Sequence, residues 1–206
     1  MRSCLKKLGS AYVLVAALAF GISAPSFAET VEIPDDQVDD ITEEIKNGLL
    51  LYLAGNIAEA KAAIDFASQL LSQAKAAGLT AFLPNVLSEE WARSEPQTSA
   101  SGASMFGGGI SATADYTMGA ETCTIMITGD SPLIQSLSMM FSNPMMAGAG
   151  GSRLERVGTE RVIITQDGEV QAMANTYLVQ YLGNCSEENK LAYVAVTDFN
   201  GLRAYQ

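Results

Sequence analysis

The hydrophobic period of this chain changes once, and that change limits what the chain can become. Over residues 34–83 the apolar side chains recur at three- and four-residue steps, whereas over 110–184 they alternate with period two. The first pattern buries one face of a helix and the second one face of a strand. The expected class is therefore α+β, an N-terminal antiparallel helical hairpin followed by a mostly antiparallel sheet.

Pro34 suits a first helical turn, and Asp35, Asp36, Asp39 and Asp40 complement the positive end of the helix dipole. Val38, Ile41, Ile45, Leu49 and Tyr52 then make one apolar stripe, which Gly55-Asn56 ends. A second helix sets Ala60, Ile64, Ala67, Leu71 and Ala74 on one face and stops at Gly78. So short a turn makes an αα-hairpin, whose apolar side must cover something, most simply the sheet that follows. The spacing of Gly55, Ala60, Ile64 and Ala67 is similar to that of one tetratricopeptide repeat. No second copy follows, and one repeat cannot bury its own face.

The stretch 94–109 has linker composition, beginning Ser94-Glu95-Pro96-Gln97-Thr98-Ser99. It divides a hairpin region, 29–93, from an α+β domain, 110–206. In that domain Ile110, Ala112, Ala114 and Tyr116 share one face of a strand, and Met118-Gly119-Ala120 turns it into Thr122–Thr128. Asp130-Ser131-Pro132 starts a helix that Asn143-Pro144 stops. Four further strands are expected at Arg153–Val157, Arg161–Gln166, Val170–Ala174 and Tyr177–Leu182. A last helix opens at Ser186 and is interrupted at Asn200-Gly201. The order β-β-α-β-β-β-β-α, joined by tight turns, implies an antiparallel sheet with helices on one face.

Residues 1–28 read as an export signal. Arg2, Lys6 and Lys7 precede an unbroken small and apolar run, Ala11–Ile22, and Ser26-Phe27-Ala28 fits a signal-peptidase site, so cleavage is expected after Ala28. The run is too short for a transmembrane anchor. The expected location is the periplasm. Of the three cysteines, Cys4 precedes the apolar run and cannot be a lipobox cysteine, which leaves Cys123 and Cys185. In an oxidising compartment such a pair, if adjacent, becomes a disulfide; otherwise the two are separate small core residues. The formal charge of −11 repels a nucleic-acid backbone or an anionic membrane surface.

A resemblance rests on an ordered set of segments. After the helical hairpin come Phe82-Leu83-Pro84, Trp91, Met105-Phe106-Gly107-Gly108-Gly109, Thr128-Gly129-Asp130-Ser131-Pro132 and Met139-Met140-Phe141-Ser142-Asn143-Pro144. Their order resembles that of a family of exported proteobacterial proteins, over most of the chain after the signal. The resemblance implies an α+β periplasmic protein and brings no catalytic residue, substrate or cofactor. Where that family tends to have a Pro-Gly-Trp turn, this chain has Glu89-Glu90-Trp91.

The chain has no histidine, which removes Ser-His-Asp and Cys-His catalysis and His-ligated zinc within this chain. Ser72-Gln73-Ala74-Lys75 has Ser-x-x-Lys spacing without a companion Lys-Thr-Gly element. Asp35-Asp36-Gln37-Val38-Asp39 has a magnesium–diphosphate spacing without the usual second copy, and reads first as solvated charge at a helix start. Gly107-Gly108-Gly109 and Gly148-Ala149-Gly150-Gly151 lack the flanking residues of a phosphate loop. No metal and no cofactor are expected. Met139, Met140, Met145 and Met146 lie within eight residues and offer either core filling or a soft binding surface. Trp91 reads as an interdomain plug or a ligand platform.

These residues describe a non-catalytic periplasmic binding or accessory module acting through an envelope protein partner. The alternative is a carrier of a small apolar or amphipathic ligand in a Met-lined cavity between the sheet and the helix from Leu133 to Phe141. A carrier needs an enclosed cavity, and an accessory module needs a filled core with an exposed patch.

Overall fold

The computed structural model describes residues 35–100, 109–132, 134, 137, 138, 141 and 151–205. The expected signal peptide lies outside them, as do Pro34, Met105, Met139, Met140, Met145 and Met146. Helix α1 (Asp35–Leu53) and helix α2 (Ile57–Gly78) form the hairpin, turning at Gly55 with its φ of 84°. A 3-10 turn over Leu79–Phe82 leads α2 toward the sheet.

Eight strands follow: β1 (Ala92–Arg93), β2 (Gln97–Ser99), β3 (Ile110–Met118), β4 (Glu121–Gly129), β5 (Arg153–Val157), β6 (Glu160–Ile164), β7 (Val170–Ala174) and β8 (Tyr177–Gly183). All pair antiparallel in one sheet of order β1-β3-β4-β8-β7-β6-β5, with β2 also on β3. Helices α3 (Glu187–Val196) and α4 (Phe199–Ala204) close the fold. The α+β class and the N-terminal hairpin are as the sequence implies.

Alternation decides which strand residues enter the core. Ile110, Ala112, Ala114 and Tyr116 of β3 face inward beside Cys123, Ile125 and Ile127 of β4 and Tyr177, Val179 and Tyr181 of β8. Leu79, Leu83, Trp91, Tyr193, Val194, Phe199 and Leu202 cover this layer. The small alanines of β3 and β7 let the covering helices approach, and large rings fill the rest. Tyr193 packs edge-on to Trp91, with ring centroids 5.5 Å apart, and lies 4.7 Å from Tyr116.

Three details depart from the sequence expectations. First, Gln97–Ser99, inside the stretch read as linker, forms an edge strand paired with Ser111–Thr113, and Ala92–Arg93 forms another on the same side. Second, the last helix breaks at Thr197-Asp198 rather than at Asn200-Gly201. The Asp198 carboxylate accepts from the Gly201 N–H at 2.9 Å and caps a new helix, so Gly201 lies inside α4. Third, helices cover both faces: α2, α3 and α4 lie on one, while Ile134 and Phe141, helical residues of the 132–141 segment, pack on Ile163 and Leu178 of the other.

Candidate interaction surface

Helices α1 and α2 meet along a seam with a seven-residue repeat. Ile41 and Gly48 of α1 and Ala60, Ala67 and Ala74 of α2 take the d positions of the heptad, and all five are buried. Val38, Ile45 and Tyr52, with Ile57, Ile64 and Leu71, take the a positions, and each is between 42% and 61% exposed. Gly48 makes the close approach possible. A Cβ there would come within 2.8 Å of the Ile64 side chain.

Because the two helices run antiparallel and are both right-handed, their a positions fall on the same side of the seam. One face of the hairpin is therefore an apolar stripe open to solvent, which Leu49 and Leu53 extend along the end of α1. Among the described residues only Val86 and Val196 are exposed large apolar side chains outside the hairpin. This corrects the expectation that the sheet covers the stripe. Of the two helices it is α2 that packs on the strands, against β2 and β3, while α1 packs chiefly on α2. Ala76 of α2 enters the core, while Gln69 and Gln73 border an open cleft of about 520 Å³ shared with Thr98 and Ser99.

The second structured surface lies where β4 ends. Asp130 has a left-handed backbone, φ 54°, and accepts from Lys75 of α2, with Nζ 2.9 Å from Oδ2 and 3.1 Å from Oδ1. It borders a cleft of about 590 Å³ whose other walls are Ser131, Pro132, Ile134, Ser138, Met173, Asn175 and Thr176. Among the described residues Asp130 is the one carboxylate of that lining, with no second acid to share a proton, and the Lys75 ammonium pairs with it.

The phenols nearby are donors rather than bases. Burial, and after it the Asp130 charge, pushes the Tyr177 hydroxyl up to about 12. Tyr205 donates to the Lys75 carbonyl at 2.9 Å, and burial raises its pKa as well. Ser72 donates to the Ser68 carbonyl while Lys75 reaches Asp130, so the Ser-x-x-Lys spacing forms no nucleophile–base pair. Among the described residues no three metal-ligating side chains gather.

Cys123 and Cys185 stand at disulfide distance, with Cα atoms 5.2 Å apart. Backbone and amide contacts frame them. The Cys185 N–H donates to the Thr122 carbonyl, the Thr122 N–H donates to Asn184 Oδ1 at 2.7 Å, and Asn189 Nδ2 donates to Glu121 at 2.9 Å. The pair thus belongs to a structural staple between the β3–β4 turn and the start of α3. Trp91, 6% exposed among core rings, is a plug and not a surface, which corrects its place among the binding residues.

No protein-family model, curated protein or solved structure matches this chain. Its geometry must speak alone. The split between buried d and exposed a positions escaped sequence reasoning, although Ile57, Ile64 and Leu71 already step by seven past Ala60, Ala67 and Ala74. The Lys75–Asp130 pair spans 55 residues and leaves no sequence signal.

Proposed function

We propose that this chain is a non-catalytic, exported accessory module of the cell envelope that works by protein contact through the open face of its helical hairpin. The observation that carries this reading is the concentration of exposed apolar side chains on that one face. Such a stripe has a cost in water and marks a contact surface. The basic, apolar and small-residue order of residues 1–28 supports export, and the adjacent Cys123 and Cys185 suit an oxidising compartment. No described helix is long and apolar enough to cross a membrane. The resemblance to exported proteobacterial proteins points the same way.

The carrier reading draws on the cleft beside Asp130, where Ile134 and Met173 give apolar wall. That cleft is open rather than enclosed, which suits a buried apolar ligand poorly. A photo-crosslinking residue at Leu49 tests the two in the producing cell. Adducts with protein support the accessory reading. Their absence, with a small molecule retained by the native chain in mass spectrometry, supports the carrier instead.

A further inference from the structure

We propose that the open face of the hairpin pairs with the same face of a second copy of this chain, so that two hairpins form a four-helix bundle. The inference rests on the contact reading above and names the partner. Three observations select a copy. The first is size: six a-position side chains, with Leu49 and Leu53 beside them, leave roughly 100 Å² each uncovered, on the order of 800 Å² together, which is what one side of a standard interface occupies.

The second is pattern. Large residues fill every a position, while Gly48, Ala60, Ala67 and Ala74 hold four of the five d positions. Large knobs beside small residues let two identical hairpins interleave, and a two-fold axis needs a patch complementary to itself. The third is charge. A chain of formal charge −11 resists self-association unless the touching faces exclude carboxylates. The e positions on the open side are Thr42, Leu49, Lys61, Ser68 and Lys75, while Asp39 and Asp65 sit one step further round at b and Asp40, Glu43, Glu44 and Glu59 lie away from the stripe. The e row that borders the stripe carries no acid, and Asp65 beside it is paired with Lys61.

Sedimentation equilibrium of the purified chain between about 1 and 100 µM is the test, a range in which interfaces of this size associate. The expected result is twice the chain mass. Ile45→Glu with Ile64→Glu should return the single-chain mass, while Phe66→Glu, on another flank of α2, should leave the dimer. Circular dichroism checks that each variant is folded. Should the first pair unfold the hairpin, Thr42→Glu with Ser68→Glu places carboxylates at the rim on exposed sites and should also give the single-chain mass. A single-chain mass for the unaltered protein across the range overturns the inference, and so does a dimer that the rim variants leave intact. Crosslinking at Leu49 separates the two levels of the argument. An adduct of doubled mass supports the copy, an adduct with a different polypeptide overturns the copy and keeps the contact reading, and no protein adduct overturns both.

Discussion

Lys75 of α2 holds Asp130 at the end of β4 through both carboxylate oxygens, at 2.9 and 3.1 Å. The pair fastens the C-terminal end of the hairpin to the strand that carries Cys123. Both side chains are partly solvated, so Lys75→Met is expected to cost no more than about 1 kcal/mol in urea unfolding. The backbone matters more than the charge. At φ 54° Asp130→Gly should be close to neutral, whereas Asp130→Val should cost about 1–3 kcal/mol, because a β-branched residue is strained there.

The cysteine pair predicts a mass. The chain recovered under non-reducing conditions should be two hydrogens lighter than after reduction, and a mass without that difference contradicts the bond. With its ends 62 positions apart in the sequence, the link should stabilise the fold by about 4 kcal/mol in the chain-entropy account. Reduction, or Cys123→Ala with Cys185→Ala, should lower the urea midpoint accordingly.

Alkaline pH should unfold this protein through its buried phenols. Burial pushes Tyr177 and Tyr193 up to about 12, and it raises Tyr116, Tyr181 and Tyr205 as well. Below about pH 10, the ordinary tyrosine value, both states keep these protons and the phenols give no pH dependence. Above it the unfolded chain alone releases them, so stability falls by about 1.4 kcal/mol per phenol for each pH unit, until each folded value is passed. Lys190, whose pKa burial lowers, acts in the opposite sense, one group against five. Urea midpoints at pH 9, 10 and 11 check the slope, and a flat profile contradicts it.

Trp91 should report the core. As the single tryptophan, buried against Tyr193, it should emit as an indole shielded from water and shift red on unfolding. Trp91→Ala should cost about 3–5 kcal/mol. An emission maximum already at the solvent-exposed position in the native chain would place the ring at the surface.

The inward face of β3 was legible because period two and burial coincide there, in Ile110, Ala112, Ala114 and Tyr116, whereas β8 is buried on both faces over Tyr177–Tyr181 and shows no such alternation. Strand β2 was not legible, since Gln97, Thr98 and Ser99 are all exposed and polar and show no period-two apolar pattern. The capping of α4 by Asp198 competes with the glycine signal at Gly201, and a side-chain hydrogen bond outweighs a weak helix former. For the candidate surface, the stripe itself was readable, but its coverage was not. Val38 and Ile41 are equally apolar in sequence, and only the placement of α1 beyond α2 decides that one is exposed and the other buried.

The chain leaves the sheet at the end of β4, starts again at the far edge in β5, and returns by three hairpins until β8 meets β4. The central ladder, Cys123–Thr128 against Leu178–Gly183, therefore cannot register until every peripheral strand has been synthesised. Closing so long a loop is a slow, entropically costly step, whereas β5 through β8 pair between neighbours. In a chain that emerges from its N-terminus, the hairpin and the β3–β4 pair must wait with one side of β4 unpaired. A linkage between Cys123 and Cys185 lies at one end of this last ladder, so it would shorten the search in any later round of refolding.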